Sequence, residues 1–278
     1  MHLYLILFIS ISFSLPQHRS FYSVGDTVSL NDQNIEYNVC HSDGHYELGE
    51  NFSISNLNGL TNGGEYKVTL ISMNATWWPQ CYEYVSLMDS IMEYTNQNPD
   101  IEFIVSLDYS LEDFSDYECV EWGDLYETLG IYDNNPLIIN GDTDFDYDGY
   151  YDHYIWNLFA GNSYSSYAIL DHHMVVRYLL DFPDYNNFQN IYLPNLVNEM
   201  YGCSNEFATN YNASVVYNDN SCIFGGDLNE DNNIDINDVI MLVNFVIENQ
   251  LEPDTDINND QNTDILDVIS LINFIIQS

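Results

Sequence analysis

Apolar residues recur along the chain at two periods, and their alternation sets out the elements. Tyr66-Lys-Val-Thr-Leu-Ile-Ser-Met73 is rich in β-branched and apolar residues and predicts a buried strand. Between Gln80 and Asn96 the apolar side chains Tyr84, Leu87, Met88, Ile91 and Met92 fall at helical spacing. A second strand follows from Ile101 to Leu107, then a helix from Val120 to Leu129 and a short strand from Pro136 to Ile139. A short helix is expected at Tyr154 to Phe159. Tyr167–Leu170 and Met174–Leu179 read as a hairpin around Asp171-His-His173, whose histidines are expected in solvent. A last helix is expected from Pro194 to Met200, with proline in its first turn. Strand, helix, strand, helix, then hairpin and helix imply an α/β sandwich with helices on both faces.

The two ends of the chain follow other patterns. Leu3 to Leu15 is almost wholly apolar, with small residues Ser12 and Ser14 near its end. Residues 1–15 therefore read as an export signal, the run being short for a membrane span. A polar lead, 16–50, separates it from the α/β region, 51–201. Residues 202–223 are Asn-rich, poor in core formers and bracketed by Cys203 and Cys222. Residues 224–278 contain a repeat. Asp227-Leu-Asn-Glu-Asp-Asn-Asn-Ile-Asp-Ile-Asn-Asp-Val239 recurs as Asp256-Ile-Asn-Asn-Asp-Gln-Asn-Thr-Asp-Ile-Leu-Asp-Val268. Each copy leads into an apolar helical pattern, Val239 to Ile247 and Val268 to Ile276.

Charge narrows the partners. The chain has 44 Asp+Glu against 3 Lys+Arg, a formal net charge of −41. Phosphate backbones and anionic membranes need basic residues, so nucleic acid and lipid surfaces are excluded as partners. Divalent cations are favoured, because carboxylates bind them and they relieve self-repulsion.

The repeat supplies the ligand pattern that such cations require. A twelve-residue calcium loop offers oxygens at positions 1, 3, 5, 7, 9 and 12. The first copy places Asp227, Asn229, Asp231, the Asn233 carbonyl, Asp235 and Asp238 there. The second places Asp256, Asn258, Asp260, the Asn262 carbonyl, Asp264 and Asp267. The turn at position 6 favours glycine but holds Asn232 and Gln261, and the apolar anchor at position 8 is Ile234 in one copy and Thr263 in the other. These departures make the second loop the weaker by expectation. A third candidate lies inside the α/β region, where Asp144, Asp146, Asp148, the Tyr150 carbonyl and Asp152 stand at positions 1, 3, 5, 7 and 9 and Gly149 at position 6. Its position 12, Ile155, cannot ligate.

The repeat, with Asp at position 12 and its Leu-Val-Asn-Phe and Leu-Ile-Asn-Phe helices, resembles a dockerin module. The resemblance implies two antiparallel loop–helix units that load Ca2+ and bind a cohesin-like or other cell-surface protein. The positions linked to partner choice correspond to Ile236, Asn237, Ile265 and Leu266. Phe52 to Gly59, the following strand and Asn74-Ala-Thr-Trp-Trp-Pro-Gln-Cys81 resemble the start of an extracytoplasmic thioredoxin-like domain. That family carries Cys-x-x-Cys at a strand-to-helix turn, where the first cysteine attacks a disulfide and the second resolves the intermediate. Here Trp78 takes the first position and only Cys81 remains. Ser165 stands where the family has a cis-proline. Gly202 to Cys222 resembles a short module of secreted bacterial proteins, which implies a Cys203–Cys222 disulfide closing a compact spacer.

Cys40, Cys81 and Cys119 are left, enough for one further disulfide and one thiol, with the pairing open. Cys81 is expected to be a buried, inert thiol, and a catalytic role is its alternative. Trp77 and Trp78 are candidates for a binding surface at the rim of that turn. The sequence thus describes an exported, calcium-binding, multi-module protein. Its α/β domain acts in binding or assembly, and a single-cysteine thiol–disulfide chemistry through Cys81 is the competing reading.

Overall fold

The computed structural model describes residues 21–42, 44–108, 117–141, 154–160, 166–205, 208, 210–222, 225–229, 231, 233–248, 255–258 and 260–277. The chain divides into two compact units, Met1–Val197 and Asn198–Ser278. The export signal, the acidic run with Asp144, Asp146, Asp148, Tyr150 and Asp152, and Ser165 lie outside the described residues.

The first unit is built on a mixed seven-stranded sheet. Its strands are β1 (Tyr37–His41), β2 (Asn51–Phe52), β3 (Val68–Ala75), β4 (Ile101–Asp108), β5 (Leu137–Asn140), β6 (Ser166–Leu170) and β7 (Val176–Leu180), in the order β2-β1-β5-β4-β3-β6-β7. β3 pairs in parallel with β4, and β4 with β5. β6 runs antiparallel to β3 and to β7. All eight residues of β3 are buried, as a central strand covered on both faces requires.

Alternation along the strands divides the sheet between two helical layers. Ile71 and Met73 of β3, Ile104 of β4, Leu137 and Ile139 of β5 and Ala168 and Leu170 of β6 share one core. The Tyr154–Phe159 helix contributes Ile155, Trp156, Leu158 and Phe159 to it. The Pro79–Asn96 helix, which packs against the Cys119–Leu129 helix, buries Cys81, Val85, Met88, Ile91 and Met92.

The segment before residue 51 contributes more than a polar lead. It supplies strand β1, which pairs with β2 on one side and β5 on the other, and Tyr22, Val28, Tyr37 and Val39 are core residues. Asp32 pins it in place, accepting hydrogen bonds from Tyr22, Ser29 and Tyr154. Pro194 does not open a helix. Its helix begins upstream at Tyr185–Asn187 and widens into a π turn at Phe188–Tyr192, where the Leu193 amide donates to the Phe188 carbonyl. It then continues as Leu193–Asn198. Proline has no N–H and its ring crowds the carbonyl four residues back, so a widened turn beside it is the physical remedy. The histidines of the β6–β7 turn also differ from expectation. His172 is only 2% exposed and His173 is half-buried, their rings 4.2 Å apart and both near Tyr66.

In the second unit, Cys203 and Cys222 form a disulfide beside a two-stranded parallel pair, Tyr201–Gly202 with Tyr217–Asn218. The helices Ile236–Glu248 and Ile265–Gln277 pack together through Val239, Leu242, Val268 and Leu271. Gly226 opens the first loop at φ +111°, and a Cβ there would stand 2.5 Å from Leu271 Cδ1. Among the described residues no helix is long and apolar enough to cross a membrane.

Candidate functional site

The strand-to-helix turn of the first unit is built by β3 and the Pro79–Asn96 helix. The Thr76 amide donates to the Asp108 carbonyl at the end of β4, and the Trp78 amide to the Ala75 carbonyl. Trp78 caps the helix in extended conformation, with Pro79 at its first turn, where a missing N–H costs nothing. The residue that caps this helix is thus an indole, tied through Nε1 to Gln80 Oε1 at 2.9 Å. Trp77 packs edge-on against it, with ring centroids 6.0 Å apart. Both rings are half-buried. Tyr82, one turn along, stacks on Tyr117 at 5.8 Å.

Cys81 sits three residues into the helix, where its side chain turns inward. It is 1% exposed, and its sulfur accepts from the Ala75 amide at 3.4 Å. Cys40 and Cys119 form the second disulfide, across 79 residues, and tie strand β1 to the start of the Cys119–Leu129 helix. Cys81 is the cysteine outside both disulfides.

In the second unit the two loops adopt matching hydrogen-bond patterns. The Asp231 amide donates to Asp227 Oδ1 and Asn229 Oδ1, as the Asp260 amide does to Asp256 Oδ1 and Asn258 Oδ1. Asn233 and Asn262 donate their amides to Asp231 and Asp260. These bonds favour ionised carboxylates and hold Asp231 and Asp260 below the ordinary value of 3.8, the Asn233 and Asn262 amides being the largest cause.

The position-12 carboxylates are wholly buried. Asp238 accepts the amides of Leu228, Asn229 and Asp235, and Asp267 those of Asn258 and Asp264. Asp235 and Asp264 accept the amides of Asn237 and Leu266. Gln261 adopts φ +71°, the left-handed turn that position 6 demands. Ile234 packs on the helix core. Thr263 instead hydrogen-bonds the hydroxyl of buried Thr255 at 2.8 Å. Each polar departure in the second loop therefore has a local solution.

The donor set is all oxygen, from carboxylates, carboxamides and carbonyls, which suits a hard cation such as Ca2+. Among the described residues no three His, Cys, Asp or Glu side chains are grouped closely enough to hold an ion by themselves. The loops would draw on Asn side chains and backbone carbonyls as well. The candidate docking residues Ile236, Asn237, Ile265 and Leu266 are all exposed, the isoleucines by 62% and 59%.

Two residues escaped the pattern reading. Asp89, 0% exposed on the Pro79–Asn96 helix, accepts the amides of Ile131, Tyr132 and Asn134 and the Asn134 carboxamide. An acid set among Met88, Ile91 and Met92 is the signal that could have marked it. His41 donates through Nδ1 to the Pro136 carbonyl, 2.8 Å away, and its ring fills the space beside Gly123.

No family model matches the chain, and no curated protein does. Several solved structures are similar to it. One is a secreted Mycobacterium tuberculosis disulfide oxidoreductase, with 12% identity and TM-score 0.37, covering 58% of this chain and 96% of that one. Another is a thioredoxin-like protein from Aeropyrum pernix, with 16% identity and TM-score 0.37, covering 57% and 88%. A third is the exposed lipoprotein thioredoxin of Streptococcus pneumoniae, with 15% identity and TM-score 0.34, covering 55% and 93%. At these values the likeness is distant.

Proposed function

We propose that the chain is an exported calcium-binding protein in which a dockerin-like repeat attaches a thioredoxin-like domain to a cell-surface partner, and that this domain binds or assembles rather than exchanging dithiols. The observation that carries the reading is the turn at Trp78. A dithiol cycle needs a thiolate at the helix N-terminus and a second thiol behind it. An indole holds the first place, and the second is a sulfur with almost no accessible surface. The parallel β3–β4 pair joined by the Pro79–Asn96 helix, with β6 and β7 antiparallel beside it, supports the thioredoxin-like assignment.

Calcium would be held by Asp227, Asn229, Asp231, Asn233, Asp235 and Asp238, and by Asp256, Asn258, Asp260, Asn262, Asp264 and Asp267. Asp144, Asp146, Asp148, Tyr150 and Asp152 make a third candidate. The twofold recurrence of one loop geometry supports the first two sites. Exposed Ile236, Asn237, Ile265 and Leu266 are the docking residues of this reading.

A second reading keeps one feature in its favour. Four cysteines are locked in disulfides while Cys81 stays a thiol. It could form a mixed disulfide if the turn opened. Thiol titration of the native and denatured chain, with a disulfide-reduction assay of wild type and Cys81→Ser, separates the two. We expect no titratable thiol in the native protein, one in the denatured protein, and equal background turnover. Turnover that depends on Cys81 would overturn the binding reading. For calcium, titration calorimetry of the full chain should show saturable uptake that falls in Asp227→Ala and Asp256→Ala; absence of uptake would sink the attachment proposal.

A further inference from the structure

At the opposite end of β3 from the tryptophan turn, about 25 Å away for eight extended residues, lies a cavity of about 540 Å³. Its size is that of a small-molecule site. It opens where β4 starts, between the last turn of the Pro79–Asn96 helix and the loop before β5. We propose that this cavity binds a small zwitterion with an apolar side chain, an apolar α-amino acid or dipeptide.

Three features of the lining point to that chemistry. The first is charge of both signs. Lys67 is one of three Lys and Arg side chains in the whole protein, and it lines the cavity together with Glu102 and Asp133. Its ammonium donates to the Pro99 carbonyl and has no carboxylate partner among the described residues, so two of its three N–H groups remain for a ligand. Arg177, by contrast, is spent on Asp171 at 3.0 Å. A ligand carboxylate suits Lys67, and a ligand ammonium suits Glu102 and Asp133.

The second feature is an apolar floor of buried Met92, Ile101 and Phe103, which would take a hydrocarbon side chain. The third is a rim fixed before any ligand arrives. Buried Asp89 clamps the amides of residues 131, 132 and 134, and Asn96 donates to Asn134 Oδ1 at 3.0 Å. Between these anchors Asp133 turns the chain at φ +55°, the left-handed region that Asp tolerates better than most side chains. A rim fixed in this way spares the ordering cost of binding. Net charge decides between ligand classes. A chain of formal charge −41 repels a plain anion, whereas a zwitterion carries no net charge to repel.

Heteronuclear NMR of the full-length protein tests the proposal, with L-leucine and L-leucyl-L-leucine as probes. At least one should give saturable shifts at the Asn96, Asn98 and Asn134 carboxamides and none at the Trp77 and Trp78 indoles. N-acetyl-leucine, which lacks the ammonium, and leucinamide, which lacks the carboxylate, should each bind about tenfold more weakly or worse, the worth of one charge-assisted hydrogen bond. Lys67→Met and Glu102→Gln should each weaken the better probe by about the same factor. Both positions are half-exposed, and an unchanged thermal midpoint would show that these variants stay folded. No saturable shift at millimolar probe overturns the proposal. So does equal binding of the blocked analogues, or binding that neither substitution changes.

Discussion

Asp89 shows how much one buried carboxylate can organise. Four donors from residues 131–134 converge on it, so Asp89→Ala removes the acceptor of several amides at once. We expect a loss of about 3 kcal/mol or more in stability, read as a lowered urea midpoint. Gly123 is a tighter test of packing. A Cβ there would stand 2.0 Å from the His41 ring, so Gly123→Ala should cost about 1–3 kcal/mol by forcing the ring from its place. The loop carboxylates give a pH prediction. Asp231 and Asp260 titrate below the ordinary value in the folded chain, so the unfolded chain takes up their protons first. Their contribution is present above the unfolded value of 3.8 and is lost as pH falls through the lower folded values. Helix content of the calcium-loaded protein, followed by circular dichroism, should therefore hold at neutral pH and fall in the acid range below the unfolded value.

Among the elements, the two disulfides act on different scales. Cys40–Cys119 closes 79 residues and joins strand β1 to a helix start. On loop-closure entropy its reduction should cost about 4 kcal/mol, against about 3 for the 19-residue Cys203–Cys222 loop. Stepwise reduction with mass mapping, paired with thermal melts, should show the larger drop for Cys40→Ser with Cys119→Ser. The Pro79–Asn96 helix was legible from its period, but its inward stripe is set by Cys81, Val85, Met88 and Met92. Tyr84 and Leu87, apolar by type, are only half-buried. Period locates a helix, while the sheet it lies on chooses the face. The π turn before Pro194 was illegible for a related reason. Proline marks a helix start and a distorted interior with the same letter, and only the preceding turns of chain distinguish them.

Over the whole molecule, self-repulsion is the dominant electrostatic fact. With 44 acids and 3 bases, thermal stability should rise with added monovalent salt even with calcium removed, because screening weakens repulsion in the folded chain. A melting temperature unchanged or lowered by salt in the presence of chelator would contradict this. On the proposed calcium reading, calcium should add a larger increment at far lower concentration, since it would bind only the folded loops.

The sequence by itself determined the local and periodic features: the strand and helix order of the α/β region, the repeated loops with their oxygen-bearing side chains, and Trp78 beside Pro79 at a strand-to-helix turn. Each of these is written in residues close together in the chain, where period and spacing act directly. Tertiary structure decided what depends on distant neighbours. It paired Cys40 with Cys119 and left Cys81 buried against the end of β3. It drew residues 21–50 into the core, buried His172 on a turn, and brought Lys67, Glu102 and Phe103 around one cavity with the loop that Asp89 holds. No spacing in the sequence encodes those encounters, because they arise only when strands remote in sequence are placed side by side.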